Sequence, residues 1–151
     1  MSIDNLRITK LREYLMNIIS SLNKEYEQIN INFLSNDIDN YSIDKIPTDT
    51  EGSSWIIGNI LQREVYSFRS RMSYSADVIS NIENVGFYET FEKIIKSNNE
   101  LNILPDINGI ESIKCLNCGT MNNANTNTAE FDIQIQIEYR DDGENPIIPS
   151  L

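Results

Sequence analysis

From Phe131 to Arg140 the chain alternates without a break. Phe131, Ile133, Ile135, Ile137 and Tyr139 are apolar or aromatic, while Asp132, Gln134, Gln136, Glu138 and Arg140 are polar. Successive side chains of a strand point to opposite faces, so a period of two dictates one buried face and one wet face. Such a strand needs other strands beside it and apolar cover on one side. The preceding sequence offers both.

The cover comes first. Ile8, Leu11, Leu15, Ile18 and Leu22 recur at steps of three and four, widened by Ile19 and Tyr26. This stripe predicts a helix of about 20 residues lying on a sheet, capped by Ser2, Asp4 or Asn5. Ile29, Ile31 and Phe33 alternate with Asn30 and Asn32 as a half-buried strand over residues 28–34. A short strand is expected over Tyr41–Ile46, ahead of Pro47, and a loop over Thr48–Ser53. Trp55 to Ser70 reads as one long strand, or two with a bend at Gly58, with Tyr66 and Phe68 on one face and Val65 and Ser67 on the other. Two helices are then expected. The first covers Ala76–Val85 and stops at Gly86, which suits a left-handed terminating position. The second carries Phe87, Phe91, Ile94 and Ile95 and ends at Ser97-Asn98-Asn99. Leu104-Pro105 opens an extended connection to a strand over Ile110–Leu116, and Asn122–Thr128 is a turn. The fold class is therefore α+β: a mostly antiparallel sheet with helices packed on one face, in a single domain over residues 1–140. Residues 141–151, with Pro146 and Pro149, form an extended C-terminal tail.

Composition narrows the chemistry. A chain of 151 residues suits one domain with a real core. There is no histidine, which removes the commonest general base and any Ser-His-Asp or Cys-His engine. No Asp/Glu pair stands in a recognisable catalytic motif, so the expectation is a protein that is not an enzyme and needs no cofactor. The net charge of −11 opposes binding to nucleic acid or anionic lipid over most of the surface. No apolar run approaches bilayer length, and the start of the chain does not read as a secretory signal, so the protein is expected to be made in the cytoplasm. Cys115 and Cys118 are the only cysteines, spaced C-x-x-C. They have no second ligand pair for zinc and lie where a strand enters a turn, so they read as free thiols. A metal-binding adaptor built on them is the competing view, decided by metal analysis.

Several positions carry a resemblance. Phe68-Arg69-Ser70-Arg71, Tyr74, Asp77-Val78, Asn81-Ile82-Glu83-Asn84, Gly86-Phe87-Tyr88-Glu89 and Phe91 resemble a family of tailed-phage tail-terminator or minor capsid proteins from Gram-positive hosts. Ile43–Pro47, Leu104-Pro105 and Thr128-Ala129-Glu130-Phe131-Asp132-Ile133 extend it over most of the chain. Glu64 departs from the pattern, which has an apolar or aromatic strand residue there, and the cysteine pair is not part of it. The resemblance implies an antiparallel sheet flanked by helices that assembles with itself as a homo-hexamer. That ring would cap the tail tube, stop its polymerisation and join it to the neck of the virion. Its implied partners are the tail tube protein, the sheath protein in a contractile tail, and the head–tail connector. DNA would pass through without specific binding. A head-completion or other neck protein is the nearest rival.

Five residues stand out as interface candidates. Arg69 and Arg71 sit where a strand enters a loop, placed to pair across a subunit boundary or, within the subunit, with Glu83 or Glu89. Tyr74 and Tyr88 suit a half-wet boundary, with core packing as the alternative, and Trp55 suits either a partner or the sheet. Asn81 and Asn84 are expected to cap local backbone.

Overall fold

The computed structural model describes residues 3–22, 29–35, 40–47, 60–73, 78–117, 119–124 and 128–141. Trp55, Tyr74, Cys118, Ser2, Tyr26, Gly58, the Thr48–Ser53 loop and the tail beyond Asp141 lie outside these residues.

The first helix, α1, runs Arg7–Ser21, shorter than its apolar stripe suggests. It has no side-chain cap: Leu6 holds the N-cap position. A 3-10 turn over Ile3–Asn5 precedes it, and the Ile3 carbonyl accepts from the Leu6 N–H and the Thr9 hydroxyl. That turn puts Asp4 and Asn5 out of register for capping. Leu11, Leu15, Ile18 and Ile19 are buried, as their spacing predicts.

Three strands follow: β1 (Ile29–Ile31), β2 (Asn40–Ile46) and β3 (Ile60–Ser73). β1 is shorter than the alternation implied because Asn32 adopts a left-handed conformation, φ 56°, which asparagine tolerates better than most residues. Ile31 and Phe33 are consequently exposed, and only Ile29 enters the core.

The expected helix pair is one continuous helix, α2 (Val78–Glu100). Asn84, Phe87, Tyr88, Phe91 and Ile95 are all buried and keep one helical phase straight through Gly86. Burying an aromatic or aliphatic side chain is worth roughly 2 kcal/mol, against about 1 kcal/mol for a mid-helix glycine, so packing carries the helix across it. The left-handed terminator is Asn102, φ 61°, sixteen positions later. There Ile103 N–H donates to Asn98 O and Asn102 N–H to Asn99 O, closing the helix in a Schellman motif.

The chain then forms β4 (Ile110–Cys115), β5 (Thr120–Ala124) and β6 (Thr128–Asp141). Gly109, φ 78°, makes the turn into β4, and its carbonyl accepts from Arg140 N–H at 2.7 Å. A Cβ at this position would run into the Arg140 carbonyl, so glycine is required twice over.

The strands form one mixed sheet in the order β1-β2-β3-β6-β4, with β5 pairing β6 beyond the end of β4. β1 and β2 are parallel; all other pairs are antiparallel. The architecture is α+β. β3 and β6 form its spine, paired from Ile60↔Asp141 to Ser73↔Thr128. Both described helices contribute to a single core with Tyr41, Ile43, Tyr66, Phe68, Met72 and the odd-numbered residues Ala129 to Tyr139 of β6. At its centre the Phe68 ring stacks against Tyr41 (5.6 Å) and Phe91 (5.2 Å). Neither described helix is long and apolar enough to cross a membrane.

Candidate assembly surfaces

The alternation of β3 puts residue 64 on the same face as Tyr66 and Phe68, and Glu64 is indeed 1% exposed. Four elements converge on it. Arg7, at the start of α1, donates from Nε to Oε1 (3.0 Å) and from Nη2 to Oε2 (2.8 Å). Lys45 of β2 donates to Oε2 (3.1 Å), Tyr66 to Oε1 (2.7 Å), and Tyr139 of β6 to Oε2 (3.4 Å). The Arg7 guanidinium also lies over the Tyr139 ring, 4.5 Å from its centroid. Burial pushes the Glu64 carboxyl up, but the hydrogen bonds from Arg7, Tyr66 and Lys45 and the Arg7 charge outweigh it and hold it at about 2. The Tyr66 phenol is pushed up by burial and then by Glu64. A carboxylate engaged on both oxygens and this far from neutrality is a clamp rather than a general base. It ties the helix layer to three strands.

The opposite face of the sheet carries paired charges. Arg69 of β3 bridges Asp44 of β2 (2.6 Å) and Glu130 of β6 (3.1 Å). Arg63 pairs with Glu138 (3.1 Å), which also accepts from Ser112 of β4. Ser67 donates to Asp132 (2.5 Å). The alternation of β6 predicted a wet face here, yet Gln136 is 7% exposed and Asp132, Gln134 and Glu138 are half-buried. Cross-strand pairing lays the Asp132 and Glu138 side chains along the sheet instead of standing them in solvent.

Apolar side chains remain exposed elsewhere. On α2, Ile82 (63% exposed) and Val85 (53%) flank Gly86, around which a Cβ would meet nothing within 4 Å. Past the end of α2, Leu101 and Ile103 are exposed, as are Leu116 and Met121 along the β4–β5 edge. Between α2 and β4 runs a groove of about 440 Å³ lined by Glu92, Lys93, Lys96, Asn99, Ile113, Lys114 and Cys115. Asn99 leans over the strand edge there and accepts from Ile113 N–H at 3.0 Å.

The five interface candidates scatter. Arg69 and Arg71 are half-buried on the paired-charge face, and neither takes Glu83 or Glu89 as its partner. Arg69 bridges two strands, and Arg71 Nε donates to Ser35 O (2.8 Å). Tyr88 is 3% exposed, edge-on to Phe87 (5.1 Å) and 5.3 Å from Phe131, and burial pushes its phenol up. It is a core residue of the subunit. Trp55 and Tyr74 lie outside the described residues. Asn84 is buried under α2, and Cys115 is half-buried at the groove. Sequence reasoning missed the Glu64 clamp as a site, although a charged residue at a buried strand parity was its signal. It also missed the groove, which no local pattern announces. No protein-family model and no curated protein matches this chain.

Proposed function

We propose that this chain is a structural subunit of a tailed-phage or phage-derived tail. It assembles as a hexameric ring on the end of the tail tube, halts tube growth and presents a docking surface to the neck. Its partners are further copies of itself, the tube protein and the head–tail connector, with the sheath protein added in a contractile tail. DNA passes through the ring without being specifically bound.

The observation that carries this reading is the one-sidedness of the fold. Both described helices spend their apolar faces on the same side of the sheet, and Ile82, Val85, Leu101 and Ile103 still stand exposed on the helix layer. Exposed apolar side chains, two on α2 and two just past its end, favour burial against a partner. The resemblance in the Asn81–Phe91 block falls on the same helix. The most conspicuous buried acid, Glu64, is committed to holding the subunit together.

The purified protein should sediment as a hexamer and bind tube ends in electron micrographs, and deletion of its gene should yield tubes of uncontrolled length. Normal tube length in the deletion counts against termination. Binding to the head connector alone, with no affinity for tube ends, would make the chain a head-completion protein instead.

A further inference from the structure

The chain carries six lysines and six arginines against 23 acidic residues. Among the described residues, eight of the eleven cations are engaged. Arg7, Lys10, Lys45, Arg63, Arg69 and Arg140 are in ion pairs, and Arg12 and Arg71 donate to backbone carbonyls. The side chains of Lys93, Lys96 and Lys114 have no ion pair or hydrogen bond among the described residues. All three line the groove between α2 and β4. Lys93 and Lys96 are one helical turn apart on α2, and Lys114 sits on the edge strand β4, between Ile113 and Cys115, where it borders the groove. Among the described residues of so acidic a protein, the cations without such a partner all line this one groove, and Glu92 is the one acid among its lining residues. Ile113 and Cys115 supply an apolar floor. A cationic groove beside a strand edge fits an extended acidic segment with apolar side chains.

The sequence beyond Asp141 carries that chemistry. Ten residues follow Asp141; they include Asp142 and Glu144, then Ile147, Ile148 and Leu151, with Pro146 and Pro149 disfavouring a helix. Fully extended, ten residues reach at most about 35 Å, enough to cross to a neighbouring subunit. Strand direction favours a neighbour over the same copy. Cys115 pairs with Ile135 and Ile110 with Tyr139, so β6 leaves the sheet at the Ile110 end, heading away from Lys114.

Resting on the ring-forming reading above, we infer that the α2–β4 groove binds the segment 142–151 of a second copy, with Lys93, Lys96 and Lys114 receiving Asp142 and Glu144. The contact is heterologous: each copy gives a tail and receives one, which suits a closed ring.

Full-length protein is prepared in light and uniformly 15N-labelled forms, mixed and reassembled, then treated with a carbodiimide that joins lysines to carboxylates at contact distance. Mass spectrometry should find heavy–light crosslinks from Lys93, Lys96 or Lys114 to Asp142 or Glu144. The Lys93→Glu/Lys96→Glu/Lys114→Glu variant should lose them and self-associate at least about tenfold more weakly, with its circular dichroism unchanged. Adding Asp142→Lys and Glu144→Lys to that variant should restore assembly by exchanging the charges. Rings that form and bind tube ends while giving only same-copy crosslinks, or none, overturn this inference and leave the proposed function standing. So does a triple variant that assembles like the parent. A protein that stays monomeric and ignores tube ends overturns both.

Discussion

At Glu64 the geometry of the strand and the chemistry of the side chain pull in opposite directions. Parity sends the carboxylate inward with Tyr66 and Phe68, and only the donors around it make that tolerable. Glu64→Gln keeps the shape but leaves Arg7 and Lys45 without a counter-charge. Both cations are more than 40% exposed and can turn to water, so the expected loss is about 2 kcal/mol in urea denaturation at neutral pH. Acid tests the same contact. The folded carboxyl sits at about 2 against 4.5 ordinarily, so the unfolded chain takes up the proton first. The contribution of Glu64 is complete above about pH 4.5 and drains away as pH falls towards 2, by up to roughly 3 kcal/mol. The Gln variant should lack that acid limb. A second residue-scale test is Gly119→Ala, whose new Cβ would stand 2.5 Å from Cγ of the Tyr88 ring. The ring is held by Phe87 and Phe131 and has little room to move, so thermal melts should show a loss of 1–3 kcal/mol, on the order expected for overpacking. The inward parity of Glu64 was legible in the sequence. Its partnership with Arg7, 57 positions away, was not, because no local pattern encodes which helix end lands on which strand.

The helices and strands show where pattern reading succeeds and where it stops. β6 is found where its alternation places it, and Leu11, Leu15, Ile18 and Ile19 are buried as their spacing demands. The failures have physical causes. Gly86 looked like a stop because glycine favours left-handed termini, yet Asn84, Phe87, Tyr88 and Phe91 hold one buried phase on both sides of it. β5 is Thr-Met-Asn-Asn-Ala, with no alternation to mark it. It is a strand because the stretch of β6 beyond β4 offers unpaired backbone, which is a tertiary cause. The Gly86 correction is directly testable. A methyl there meets nothing within 4 Å, so Gly86→Ala should stabilise the subunit by about 1 kcal/mol and raise its Tm by about 2–4 °C. A loss of stability would mean that the helix breaks at this residue after all.

At the scale of the whole molecule, the layered α+β plan followed from the order of amphipathic segments, while the arrangement of the strands did not. Nothing in the sequence says that β6 inserts between β3 and β4, or that β1 runs parallel to β2. The function proposed here belongs to this scale too, since a ring is a property of surfaces, and its predicted outcome is a hexamer that fixes tube length. The insertion of β6 also has a temporal side. Its partner β3 leaves the ribosome more than fifty residues earlier and must wait, with one edge bare, for the strand that completes it. Synthesis therefore delivers a half-sheet first and its keystone late, a topology that folds slowly and invites mispairing among crowded nascent chains. In a cell making many copies at once, translation speed and chaperone supply would govern the yield of usable subunits as strongly as their final stability does.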